Sequence, residues 1–132
     1  MKVSKSTGYA LLAASYIALQ KDKGVVLSQH IAKEYHIPLE YLLKILQQMV
    51  RANILHSKRG PGGGFSLAKH PKKITLLDII EAVEGPMAGN LNLARLAHGD
   101  KIGGKADQIY AKAVANARAV FKKARLTDLL RR

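Results

Sequence analysis

The 132-residue chain contains no cysteine and no tryptophan, and only 9 Asp and Glu stand against 22 Lys and Arg. Without cysteine, a disulfide framework, a thiolate metal site and a thiol nucleophile are all excluded. No apolar run approaches the roughly 18 residues that a membrane helix needs, and the N-terminal MKVSKSTGYALL lacks the layout of a cleavable signal. Ser15 and Tyr16 interrupt the most apolar stretch, residues 10–19, which reads as a buried first helix. A cytoplasmic location, without membrane contact, is the expectation. The few acidic residues are scattered, and no Ser/His/Asp set stands out. His30, His36, His56, His70 and His98 show no i, i+4 pair on one helix and read as surface or turn residues. Neither enzyme activity nor a metal is expected.

What the chain does have is positive charge, +13 in net terms. Residues 1–60 carry 9 basic and 3 acidic side chains, residues 61–86 carry 3 and 3, and residues 87–132 carry 10 and 3. The excess therefore lies in two regions. A field of this sign favours a polyanion such as nucleic acid, although a basic surface kept for solubility has the same composition.

Periodicity divides the chain into elements. Residues 6–20 predict a helix opened by Ser6 and Thr7, with Leu11, Leu12, Ser15 and Leu19 on its buried face and Gly24 beyond its end. Ser28 is placed to cap a short helix, SQHIAKEY. Pro38 then suits the first position of the next helix, which buries Leu42, Ile45, Leu46 and Met49. The turn between them needs a positive φ, and His36 stands there, a residue type that tolerates it. Two such helices form a helix-turn-helix candidate, while a helical hairpin in an ordinary bundle is the alternative.

The next segments favour the first reading. Residues 54–58 and 65–69 alternate as strands, with Ile54, His56 and Lys58 on one face, and RGPGGG separates them. Helix-turn-helix followed by a two-stranded hairpin is the winged-helix layout: mainly α, with one small hairpin. Thr75 then caps TLLDIIEAVEG, with Leu76, Ile79, Ile80 and Val83 as its apolar stripe and Asp78 in its first turn. Residues 87–104 read as a loop broken by glycines, with one helical turn at LNLARLA. Residues 105–130 lack Gly and Pro and predict one long helix. Its ridge of Ile109, Ala113, Val114, Ala117, Val120 and Phe121 suits packing against a second copy, or back on its own domain. Three parts result: residues 1–86 for DNA binding, 87–104 as a loop, and 105–132 for dimerisation.

The glycine run in KRGPGGGFSLAK is not a nucleotide loop. No Gly-Lys-Ser/Thr follows, and no helix starts at the glycines to face a pyrophosphate. It reads instead as a wing tip made by Lys58, Arg59, Gly60, Pro61, Gly62 and Gly63. There Arg59 is placed for a narrow minor groove, and the glycine N–H groups for phosphates. A plain flexible hairpin is the alternative.

The N-terminal MKVSKSTGYAL, the wing RGPGGGFSLAK, the stretch ITLLDIIEAVEGP and the terminal LTDLL together resemble the bacterial winged-helix regulators that include IscR, NsrR and CymR. The resemblance implies a homodimer with crossed C-terminal helices on a roughly twofold-symmetric operator, usually repressing. It implies a recognition helix starting at Pro38 and presenting Leu39, Glu40, Tyr41 and Lys44, with Tyr9 and Ser28 on phosphates. Relatives often carry Glu-Gln where Leu43 and Lys44 stand here, so the operator is expected to differ: Lys44 donates to guanine N7 and O6. Cluster-binding relatives place three cysteines in the segment matching Met87–Gly104, and this chain has none. An iron–sulfur cluster held in that way is excluded, and no cofactor is expected. A small-molecule or protein effector acting at that loop, or constitutive binding, remains open. The runner-up is a basic RNA-binding or nucleoid-associated protein without operator specificity.

Overall fold

In the computed structural model, residues 4–20, 24–87, 92–96, 98 and 101–131 are described. The elements in chain order are α1 (Lys5–Leu19), α2 (Ser28–Tyr35), α3 (Leu39–Arg51), β1 (Leu55–Lys58), β2 (Gly64–Leu67), a 3₁₀ turn (Pro71–Lys73), α4 (Leu76–Glu84), α5 (Leu93–Leu96), α6 (Lys101–Lys123) and α7 (Leu126–Leu130). Among the described residues, no helix is long and apolar enough to cross a membrane.

Helix α1 is the hub, touching α2, α3, α4, α7 and β2. Its buried face is mostly small: Thr7, Ala10, Ala13, Ala14, Ile17 and Ala18. The sequence reading placed Leu12 and Leu19 inward, but they are exposed. The helix carries apolar residues all round, so periodicity does not select a face. The alanine side wins because a hub touched from several directions needs close approach. Ser15, also expected inside, is half-buried and returns its hydroxyl to the Leu11 carbonyl at 2.7 Å.

Helix α3 buries the four side chains its spacing indicates, Leu42, Ile45, Leu46 and Met49. Each contributes roughly 1.5–3 kcal/mol on leaving water. Helix α4 starts with a reciprocal box: Asp78 N–H donates to the Thr75 hydroxyl and Thr75 N–H to the Asp78 carboxylate, both at 3.0 Å. Leu77, Ile79 and Ile80 are buried, whereas Leu76 and Val83 are half-buried.

Four local expectations are corrected. Ser28 is the first residue of α2 rather than its cap; Leu27 holds the cap position, and no side chain caps that end. Pro38 precedes α3 as its cap residue, one place before the position proposed for it. The hairpin begins at Leu55, and both Ile54 and Leu55 are buried, so Ile54 does not share the exposed side of His56 and Lys58. The long helix starts at Lys101, passes through Gly103 and Gly104, and stops at Lys123.

Contacts at both ends of α6 explain the last correction. A Cβ on Gly103 would lie 2.5 Å from the Leu93 carbonyl oxygen, so glycine there permits α5 to lie against α6. Asp107 of α6 accepts the Leu93 and Ala94 N–H groups at 2.8 and 2.9 Å, holding the start of α5. At the other end, Leu76 N–H donates to Ala124 O at 3.0 Å and Leu126 N–H to Ile74 O at 2.8 Å. That short backbone pairing turns the chain out of α6 and seats Leu126, fully buried, in the core. An ion pair between Arg118 and Glu81 adds a partly exposed tie between α6 and α4.

Candidate nucleic-acid interface

The turn between α2 and α3 forms as its residues dictate. His36 adopts φ 54° and ψ 44°, and the Ile37 N–H then reaches the Ala32 carbonyl at 3.0 Å. Ile37 is buried and fixes the two helices against one core. Pro38 and Leu39 follow at the surface, and the Pro38 carbonyl accepts the Leu42 N–H at 2.9 Å. Because α3 buries one stripe, the opposite stripe is left to solvent: Leu39, Glu40, Leu43, Lys44, Gln47 and Arg51.

Tyr41 differs from its neighbours on α3. Its ring meets that of Tyr9 edge-on, with centroids 5.7 Å apart and an interplanar angle of 86°. Its hydroxyl is paired with the Ser6 hydroxyl. Tyr41 therefore leans back on α1 and positions α3, while Tyr9 is half-buried beneath it. Ser28 sits half-buried in the first turn of α2. On the same helix, burial, followed by the charge of Glu34 and the nearby Tyr16, raises the Tyr35 phenol above its usual range. Tyr35 packs edge-on against Tyr16 of α1 at 6.2 Å.

The hairpin pairs Leu55 with Leu67, His56 with Ser66, Ser57 with Phe65 and Lys58 with Gly64. Residues 59–63 form its tip. Lys58, Arg59, Gly60, Pro61 and Gly62 are exposed. Gly63 is turned inward: its N–H donates to Gly60 O at 2.9 Å, and a Cβ there would lie 2.3 Å from Lys58 O. It shapes the tip and offers little surface of its own. The hairpin is also stapled to the helix-turn-helix, since Val26 N–H donates to Phe65 O at 2.7 Å and Phe65 N–H to Val26 O at 2.8 Å. No local signal in the sequence announces that pairing. Gln47 and Arg51, three and seven residues beyond Lys44, lie exposed on the same stripe of α3.

Of the six residues expected on the self-association ridge, Ile109 and Val120 are 72% and 65% exposed, and Ala113 is exposed. Ala117 and Phe121 are half-buried, and Val114 is buried by its own chain. The open side of α6 also carries Ile102, 75% exposed. Ile102, Ala106, Ile109, Ala113, Asn116 and Val120 follow one another in alternating steps of four and three, the spacing of a helix–helix seam.

A family model described as "Rrf2: Iron-dependent Transcriptional regulator" matches residues 3–132. The chain is 44% identical over 81 residues to a candidate HTH-type transcriptional regulator of Aquifex aeolicus, covering 61% of this chain and 56% of that protein. It is 36% identical over 86 residues to the HTH-type transcriptional regulator IscR of Cereibacter sphaeroides, covering 64% and 56%. The chain thus spans about half the length of these curated relatives. Among solved structures, CymR (YrzC), the global cysteine regulator of B. subtilis, superposes with a TM-score of 0.77 at 24% identity, over 98% of this chain and 95% of that one, a likeness of fold.

The iron in the family description is tested by the donor set present. The chain has no cysteine, and no group of three His, Asp or Glu among the described residues is arranged to hold a metal ion. These residues do not fit an iron or iron–sulfur site.

Proposed function

The chain belongs to the Rrf2 family of winged-helix transcriptional regulators, and on that premise we propose that it is a cytoplasmic homodimer that binds a near-palindromic operator and represses transcription there. The observations that carry the reading are the open stripe of α3 and the exposed Arg59 tip of a hairpin whose Phe65 pairs with Val26, just ahead of α2, on a chain of net charge +13.

Each part has a role that its chemistry suits. Leu39, Glu40 and Lys44 enter the major groove, where the Lys44 ammonium donates to guanine. Arg59 enters the minor groove, attracted by its negative potential. Lys58, Ser28 and the backbone around Gly60 and Gly62 meet phosphates. The seam of α6 pairs with its copy, so residues 1–86 read DNA and the C-terminal helix joins the two halves. Twofold pairing places the half-sites one helical turn, or a multiple, apart.

The test is footprinting on genomic fragments with light scattering of the complex. Two protected half-sites and two chains per duplex support the reading; one half-site with one chain counts against it. Competition by random duplex and by single-stranded RNA separates operator recognition from general nucleic-acid binding, and a promoter–reporter fusion reads the sign of regulation.

A further inference from the structure

Between the C-terminal end of α1 and the strand β2 lies a cleft of about 330 Å³. Its floor is apolar and includes Ile17, Ala18 and Pro71, all buried, and its rim carries Ser66, Lys69 and His70. An apolar bed with a few polar groups on its rim, at the small end of the usual size range, is the form of a small-ligand site.

The polar groups define the ligand. Lys69 is exposed and offers a cation with three donors. The Nδ1 atom of His70 already accepts the Lys72 N–H at 3.1 Å, which leaves Nε2–H as the group the ring can offer. Ser66 adds a hydroxyl. None of the described lining residues is acidic. Donors along one rim, with one full positive charge among the described lining residues, call for an anionic acceptor, and the Ile17–Ala18–Pro71 floor calls for hydrocarbon. We propose that this cleft binds a small carboxylate with an apolar body, and that its occupation is transmitted to the wing.

The route of transmission is short. Ser66 follows Phe65, whose backbone is paired with Val26, and the lining residue Gly24 stands just before that pair. A ligand in the cleft, lined by both Gly24 and Ser66, therefore lies beside the two segments whose pairing sets the wing against the helix-turn-helix. It changes DNA affinity only so far as it prefers one arrangement of them. This second half rests on the DNA-binding reading above.

The experiment titrates ¹⁵N-labelled full chain with hexanoate, with 1-hexanol as the uncharged control, and repeats the titration with Lys69→Ala. Saturable shifts centred on Ala18, Gly24, Ser66 and Leu67, weaker binding of the alcohol, and a loss of roughly tenfold or more in Lys69→Ala are expected, since a charge-assisted bond is removed. No saturable binding up to millimolar concentrations, or equal affinity in the variant, overturns the site. An operator titration of the wild type with and without hexanoate reads the transmission: changed affinity supports it, and unchanged affinity refutes it. A protein that binds hexanoate but no DNA keeps the site and defeats the DNA-binding reading instead.

Discussion

The Thr7 hydroxyl donates to Glu84 Oε1 across 2.8 Å, joining the first turn of α1 to the last residue of α4. The Ser4 backbone N–H and hydroxyl turn to the same oxygen. Helix α1 has no acidic residue in its own first turn, so Glu84 supplies the negative charge that its N-terminal end favours. Thr7 is 1% exposed, and replacing it by valine keeps the shape while removing the donor. Thr7→Val is expected to lower stability by about 1–2 kcal/mol, towards the low end for a charged acceptor because Glu84 is exposed to solvent. Urea unfolding followed by circular dichroism reads the change; a midpoint equal to that of the wild type contradicts it.

Arg59 is exposed, and among the described residues its side chain has no hydrogen bond or ion pair, so its removal separates binding from folding. Arg59→Ala is expected to weaken operator binding by about 1–3 kcal/mol with no change in melting temperature. Fluorescence anisotropy at physiological salt measures it. Undiminished affinity takes the wing out of the mechanism.

Charge also sets a salt dependence. Log affinity for operator DNA is expected to fall linearly with log salt, and Lys58→Ala to reduce the slope by about one phosphate contact. A flat dependence in the wild type argues against a phosphate-dominated interface.

The open seam of α6 carries the fourth expectation. Ile109→Asp together with Val120→Asp changes two side chains that are 72% and 65% exposed in the single chain, so the fold is retained. Carboxylates facing each other across a paired helix repel and lose hydration. Light scattering is expected to report one chain instead of two, with operator affinity falling by more than tenfold. A variant that still pairs places the interface elsewhere.

Gly103 tests the packing of α5. A side chain there meets the Leu93 carbonyl oxygen at 2.5 Å, which is backbone and cannot swing aside. Gly103→Val is expected to cost about 1–3 kcal/mol as overpacking and to expose the Leu93 and Ala94 amides that Asp107 now holds. Hydrogen exchange at those two amides is the readout. Unchanged protection removes the close crossing as the reason for glycine.

Much of the helix-turn-helix and hairpin was legible because its signals are local. The face of α3 follows from the spacing of Leu42, Ile45, Leu46 and Met49, and the stop of α2 from the tolerance of His36 for positive φ. The start of α4 follows from Thr75 and Asp78, three residues apart. The exposure of Arg59 was also legible, since a glycine-rich tip has nothing to bury it. The tether on Tyr41 was not: Ser6 and Tyr9 lie on another helix, and their spacing carries no mark of the contact. Gly63 was read with its neighbours as surface, although the turn closes over it.

The sequence by itself determined the element types, the core face of α3, the order helix-turn-helix then hairpin, and the sign of the surface charge. Each depends on residues within a turn or two of one another, or on composition alone. Tertiary structure decided which side of α1 faces inward, because a helix apolar all round has no preferred face until its neighbours arrive and only alanine lets them close. It also decided that Gly103 lies within a helix, through the nearness of Leu93. The end of α6 before Arg125 was settled by backbone bonds from Ile74 and Leu76. These are contacts between residues far apart in the chain, and their energy exists only once the fold has brought the partners together.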